Sequence, residues 1–465
     1  MHPLHPTRRQ FLSGSSAALV ALPLASIESS IPVAAGAPTV NPQSASSAVK
    51  LNVRDFGATG DGGTKDTLAF QQALDRATSL GGGEVFVPKG DYLIGTIGLH
   101  SNTQLRLDAE ASLLGSPDLA DYPLTQVRWE GRWVKGHSAL IMSMDARNIG
   151  ILGAGRIVGN PQIKGRLDAQ TGLRHPALLE FTNCAGIRVE DCITEQNDMW
   201  SIHPVYCDTI AFRNLTVRGG ADGIDVDSCR HVLIESCNFI TGDDCISLKS
   251  GRGSEGYVIA RPTEDVHISH CTFADAHWAC IGIGSETSGG IRNVRVEQCQ
   301  CTQARTFAIY IKTRPGRGAF IEDIAIDGLN VSGAQQGFLR INLLDSGKQD
   351  EFPVPGDEGI PSVRNLSFRN IRVDNVPVLV QATSTVSSSP IQGFTLANIT
   401  GSCAKGISLA NIRRAEVSEI HVTDYSGPLL SAYNVTGKGI ADASLLEATP
   451  AFMPVAQPAT PYHLR

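Results

Sequence analysis

Three aspartates near the middle of the chain have the types and spacing to do chemistry. They lie in Gly220-Ala221-Asp222-Gly223-Ile224-Asp225-Val226-Asp227-Ser228 and in Thr241-Gly242-Asp243-Asp244-Cys245-Ile246-Ser247-Leu248-Lys249. If the step from Asp222 to Asp243 is one turn of a repeating strand structure, the two sit nearly above one another at the strand spacing of about 4.8 Å. Asp244 adds a third carboxylate beside them. Like charges this close cannot all ionise independently, so at least one proton is expected to stay near neutrality. A retained proton beside an ionised carboxylate supplies an acid for a leaving oxygen and a base for water, the pair that glycoside hydrolysis needs. The plainer alternative is that these aspartates only close turns between strands. His277 and Lys312, in similar polar stretches downstream, weigh against it.

The elements that position these residues follow from a repeat. Apolar residues recur at h, h+2 and h+5: Ile187/Val189/Cys192, Ile210/Phe212/Leu215, Val232/Ile234/Cys237, Val266/Ile268/Cys271 and Val294/Val296/Cys299. The phrase continues as Ile324/Ile326/Leu329, Leu366/Phe368/Ile371, Phe394/Leu396/Ile399 and Ala415/Val417/Ile420. The steps between third positions are shortest from Cys192 to Leu215, Leu215 to Cys237 and Ile399 to Ile420, and longest from Cys237 to Cys271 and Leu329 to Ile371. Alternating apolar positions are strand-like, and a minimum period near 22 is one coil of a right-handed parallel β-helix with insertions in the longer coils. The expected fold class is therefore all-β, with one solenoid over residues 51–440.

All eleven cysteines lie between Cys184 and Cys403. Cys192, Cys237, Cys271 and Cys299 share a slot that Leu or Ile fills in other coils, so they read as small core hydrophobes rather than metal ligands. Upstream, Phe70, Ala73, Leu74 and Ala77 form one face of a helix that Asp66 or Thr67 can cap, and Gly81-Gly82-Gly83 stops it. Such a helix can close the open N-terminal end of the core. Thr7-Arg8-Arg9-Gln10-Phe11-Leu12, an apolar run from Ala17 to Ala25 and small residues up to Ala37 read as a twin-arginine export signal over 1–37. Residues 38–50 read as a linker and 441–465 as a tail. The expected location is periplasmic or extracellular, with no membrane span. The net charge of −7 disfavours a nucleic-acid partner. A polysaccharide or oligosaccharide substrate, a monomer, and neither cofactor nor metal are expected.

The aspartate segment resembles glycoside hydrolase family 28, the polygalacturonase family. Gly220-Ala221-Asp222-Gly223-Ile224-Asp225 is similar to its N-T-D or N-A-D followed by G-I-D, and Gly242-Asp243-Asp244 matches its G-D-D. Trp200-Ser201-Ile202-His203-Pro204 and Gly284-Ser285-Glu286-Thr287-Ser288-Gly289-Gly290 resemble phrases of its bacterial members. The resemblance covers roughly residues 50–430. It implies inverting hydrolysis, with Asp243 as general acid and Asp222 and Asp244 holding and activating the water. His277 and Lys312 then contact substrate. The sequence departs from the family at Asp222, which lacks the preceding Asn or Thr, at Ala276-His277-Trp278 in place of G-H-G, and at Tyr310-Ile311-Lys312 in place of R-I-K. Arg314, Arg317 or Arg252 could restore the missing cation, and Trp278 or Tyr310 could stack on a sugar. Without that cation, the subsite is expected to favour a decorated or mixed pectic chain over plain polygalacturonate. A lyase or epimerase on the same fold, and a non-catalytic carbohydrate-binding solenoid, are the competing classes. The segment 330–362 is a candidate wall for one end of the cleft.

Overall fold

The structure, a computed structural model, describes residues 49–446, so the expected signal, most of the linker and most of the tail lie outside it. The described chain winds into a right-handed parallel β-helix in which each coil lays its strands directly on those of the coil before. The apolar repeat is the internal register. Ile187 pairs with Ile210, Ile210 with Val232, Val232 with Val266, Val266 with Val294, Val294 with Ile324, Ile324 with Leu366 and Leu366 with Phe394. Inward side chains stack along the axis, as in the Phe239–Phe273 pair with centroids 5.5 Å apart.

Sharp corners between strands use single residues in the left-handed region, and the chain places short polar side chains there. Asn214 (φ 52°), Asn370 (φ 53°) and Asn398 (φ 54°) turn coils at one corner, where a local hydrogen bond offsets the steric cost. Asn398 Nδ2 donates to Asn370 Oδ1 at 2.6 Å, and Asn370 Nδ2 to Asp327 at 2.6 Å.

The helix Thr67–Ser79 buries Phe70, Ala73, Leu74 and Ala77 against the first coils, as the spacing predicts. Its expected cap is not made. The Asp66 carboxylate instead accepts from the backbone N–H groups of Thr59 and Gly60 at 2.7 and 3.0 Å, tying down the preceding loop. The first described strand starts at Lys50, inside the expected linker, and the last, Ser444–Leu445, lies past the expected end of the solenoid. The long coils hold inserted structure. The helix Gly253–Ile259 fills the coil between Cys237 and Cys271, and the segment 343–361 fills the one between Leu329 and Ile371. An antiparallel hairpin, Leu124–Trp129 with Arg132–His137, projects from an earlier coil.

All eleven cysteines are free and buried. Besides the expected slot, a second ladder runs through Cys184, Cys207 and Cys229. The Cys184 N–H donates to Cys207 Sγ at 3.4 Å, the Cys207 N–H to Cys229 Sγ at 3.2 Å, and Thr263 Oγ1 continues the column. Thiol titration of the unfolded protein without reductant should count close to eleven groups, and the native protein close to none. Two or fewer thiols after unfolding would show that disulfides hold these positions instead.

Candidate active site

The site lies on the outward face of one sheet, built from Ile202–Val205, Ile224–Asp227, Ile246–Lys249, Ile281–Ile283, Phe307–Lys312 and Gly337–Asn342. Because side chains alternate along a strand, two outward columns form. One runs Asp225, Ser247, Gly282, Tyr310, Arg340; the other carries Asp227 and Lys249 in adjacent coils and Lys312 and Asn342 further along. The catalytic candidates sit at the corner preceding these strands. There the Gly223 N–H donates to Asp244 O and the Ile224 N–H to Cys245 O, each at 3.0 Å. This register puts Asp244 over Asp222, while Asp243 lies over Ala221 and beneath Trp278. The expectation that Asp243 stacks on Asp222 is thus off by one position, because the local coil is slightly longer than the step between those two aspartates. The glycine before the aspartate pair is a packing requirement, since a Cβ on Gly242 would collide with the Gly220 carbonyl oxygen.

Each of the three carboxylates meets its own cation. Asp222 accepts from Lys249 Nζ at 3.0 Å, Asp244 from Lys312 Nζ at 2.7 Å, and Asp243 from the Arg166 guanidinium. Asp244 is further fixed by Ser247 Oγ and the Ala279 N–H, both at 3.0 Å. Lys312 reaches it across a coil because Gly282, between them, has no side chain; a Cβ there would collide with Asp244 Oδ2. Lys249 also donates to Asp225 Oδ2 at 2.9 Å, with Glu286 Oε2 at 4.0 Å and the Trp200 ring centroid at 4.5 Å.

These surroundings split the acidities. Burial, reinforced by Asp222 and Asp244, raises Asp243 to about 6 against the pull of Arg166. Burial also works against the ionised form of Asp222, but Lys249, Arg166 and Lys312 outweigh it and hold Asp222 below the usual carboxylate range. Asp225, fully buried and close to Asp222, is pushed well above that range. The aspartate that burial holds well above the usual carboxylate range is therefore Asp225, which the sequence assigns no such part, while Asp243 takes up its proton near pH 6.

The remaining expected contact residues are distributed unevenly. His277 stands above Gly242 and engages Arg305 at 2.9 Å and Asp275 at 3.7 Å, not the three aspartates. Tyr310 is 6 % exposed, with Lys312 and Arg340 over its ring at 5.4 and 5.3 Å, so its face is not open to a sugar. Trp278, directly above Asp243, is 43 % exposed and is open to one. Arg317 is buried and donates to Ser285 O at 2.9 Å and Lys348 O at 2.7 Å, and Arg314 donates to Gly347 O at 2.8 Å. Arg252 meets Glu130 and Asp350, each at 3.2 Å. These three arginines thus bind the rim together. Asp350 pairs with Arg132 of the hairpin, and Lys348 with Glu130 at 2.8 Å, so the segment 343–361 and the hairpin form one wall beside the aspartates.

Sequence reasoning missed Lys249, Arg166 and Glu286. Lys249 was within reach of it, because one coil stacks it on Asp227 in a strand of outward polar residues. Arg166 comes from the aperiodic segment 159–176, held by hydrogen bonds from the His175 N–H to Arg166 O at 3.0 Å and from the Gly165 N–H to Asp198 at 2.9 Å.

Known proteins resemble this chain in both sequence and fold. A probable polygalacturonase of Vitis vinifera is 29 % identical over 371 residues, 74 % of this chain and 73 % of its own length. The exopolygalacturonase of Thermotoga maritima superposes with a TM-score of 0.67 at 26 % identity, covering 84 % of this chain and 92 % of its own. The Yersinia enterocolitica family 28 exopolygalacturonase shares the fold, with a TM-score of 0.72 at 20 % identity over 86 % of this chain and 79 % of its own. The profile of glycosyl hydrolases family 28 matches residues 78–372, a stretch that contains all three aspartates and their cations, and the chain belongs to that family.

Proposed function

We propose that the protein hydrolyses a glycosidic bond in a pectic polysaccharide with inversion at the anomeric carbon, after export through the twin-arginine route. The observation that carries the reading is the grouping of Asp222, Asp243 and Asp244 at one corner, each on its own cation, with burial raising Asp243 to about 6 and Lys249 holding Asp222 low. Asp243 gives its proton to the leaving oxygen. Asp222, ionised, draws the proton from a water that attacks the opposite face of the sugar, and Asp244 orients that water. The register sets Asp243 and Asp222 diagonally across adjacent coils, roughly 6 Å apart at the backbone. That leaves more room for the water than direct stacking would. Trp278 offers an apolar face to a sugar next to the acid. The polygalacturonase relatives support an α-linked galacturonate chain, plain or decorated, as the substrate class.

The test is product analysis on polygalacturonate and a panel of mixed pectic oligosaccharides. New reducing ends, a first-formed anomer of inverted configuration by NMR, and no unsaturated uronate are expected. Ultraviolet absorbance from an unsaturated uronate would move the protein to the lyases, and no cleavage across the panel would overturn the reading altogether.

A further inference from the structure

The cations around the aspartates are nearly all engaged within the protein. Lys249, Lys312 and Arg166 pair with carboxylates, Arg252 and Arg317 knit the rim, Arg314 serves a carbonyl, and Arg305 lies against His277. Arg340 differs. It stands in the outward column of the cleft floor, one coil beyond Tyr310. Its guanidinium lies 5.3 Å from the Tyr310 ring centroid and 5.9 Å from that of Phe307, and among the described residues it has neither an acidic partner nor a hydrogen-bond acceptor. A guanidinium laid on aromatic faces is held in orientation while its N–H edge stays available for a bidentate contact. The three-coil step from Ser247, in the coil of Asp243 and Asp244, to Arg340 is roughly 14 Å at the backbone, so the charge stands along the floor beyond the sugar that adjoins the aspartates.

We propose that Arg340, resting on Tyr310 and Phe307, binds the carboxylate of an acidic sugar on the C-terminal side of the cleft and makes that subsite selective for uronate over a neutral sugar. The assignment rests on the glycosidase reading above. It also replaces the expectation, drawn from Tyr310 alone, that this side lacks a cation for uronate. The ring that occupies the floor there is the platform on which the cation sits.

Arg340→Gln and Arg340→Lys should be compared with wild type on an oligogalacturonide and on its methyl-esterified, neutral counterpart. Binding of the same oligomers is measured in the Asp243→Asn background. Arg340→Gln is expected to lower kcat/KM and binding for the acidic oligomer by about ten-fold, the size of a lost charge-assisted contact. The neutral oligomer should be unaffected, and Arg340→Lys should recover part of the loss. Equal loss on both oligomers, or none on the acidic one, overturns the assignment while leaving the glycosidase reading in place. A wild type that neither cleaves nor binds uronides overturns both.

Discussion

Asp243→Asn is expected to lower turnover by roughly 10²–10⁴-fold with melting and circular dichroism unchanged, because amide and carboxyl differ little in shape and only the acid can deliver a proton. The pH profile gives the sharper form of this prediction. A general acid must be protonated to act, so activity should fall as pH rises through about 6, where burial and the charges of Asp222 and Asp244 place Asp243. Arg166 opposes that rise by pairing with the ionised form. Removing it with Arg166→Gln stabilises the protonated acid relative to the carboxylate. The alkaline limb should therefore move to higher pH, and the acid limb, set by Asp222, should also move up because Arg166 helps hold that group low. Near-normal activity in Asp243→Asn would remove Asp243 from the acid role. An alkaline limb that stays fixed or moves to lower pH in Arg166→Gln would show that this ion pair does not govern it. Asp243 cannot donate a proton while it is ionised, so the productive complex requires its protonated form, which Arg166 can still contact at the unprotonated oxygen.

Parts of this site are legible in the sequence, and the boundary between what is and is not has a physical basis. The inward columns can be read because they obey a period and burial tolerates only apolar or small groups: Ile187, Ile210, Val232 and Val266 stack as their spacing predicts. The same period, applied to the aspartates, places Asp244 over Asp222, since the step between them equals that from Leu215 to Cys237. Counting instead from the nearest carboxylate gives the wrong partner. The identities of the three aspartates are legible from their motif, but not their charge partners. Arg166 and Asp243 are 77 residues apart, and Glu130 and Lys348 are 218 apart. No local rule pairs such groups; only the coiling of the chain brings the aperiodic insertions to one rim. Tyr310, which stands where the family resemblance expects Arg, lies beneath the Arg340 guanidinium of the next coil, a placement that the residue's own position in the sequence does not reveal.

Lys249→Met should be the most damaging single change to the site's framework. Lys249 is 7 % exposed, and its ammonium lies between Asp222 at 3.0 Å and Asp225 at 2.9 Å, with Glu286 at 4.0 Å. Methionine fills a similar volume and keeps the packing on Trp200, so the loss is mainly electrostatic. Removing one partner from a buried ion pair typically costs about 3–5 kcal/mol, because the remaining charges are left without compensation. The deficit should depend on pH in a defined sense. In the wild type, the lowered pKa of Asp222 contributes stability that is present above its unfolded value of about 3.9 and is lost as pH falls through the folded value. In the variant, Asp222 loses its main cation, so burial pushes it upward, as burial already does to Asp225, and the folded state must then take up protons. Denaturant unfolding should accordingly show a smaller difference between the two proteins near pH 4, where the variant's Asp222 and Asp225 can be neutral, and a difference of several kcal/mol near pH 7. Turnover should fall at every pH, because a protonated Asp222 cannot draw a proton from water. A difference below about 1 kcal/mol near pH 7, or one of equal size at both pH values, would mean that Asp222 does not depend on Lys249 for its charge. The low pKa of the water-activating carboxylate would then have to come from Arg166 and Lys312 alone.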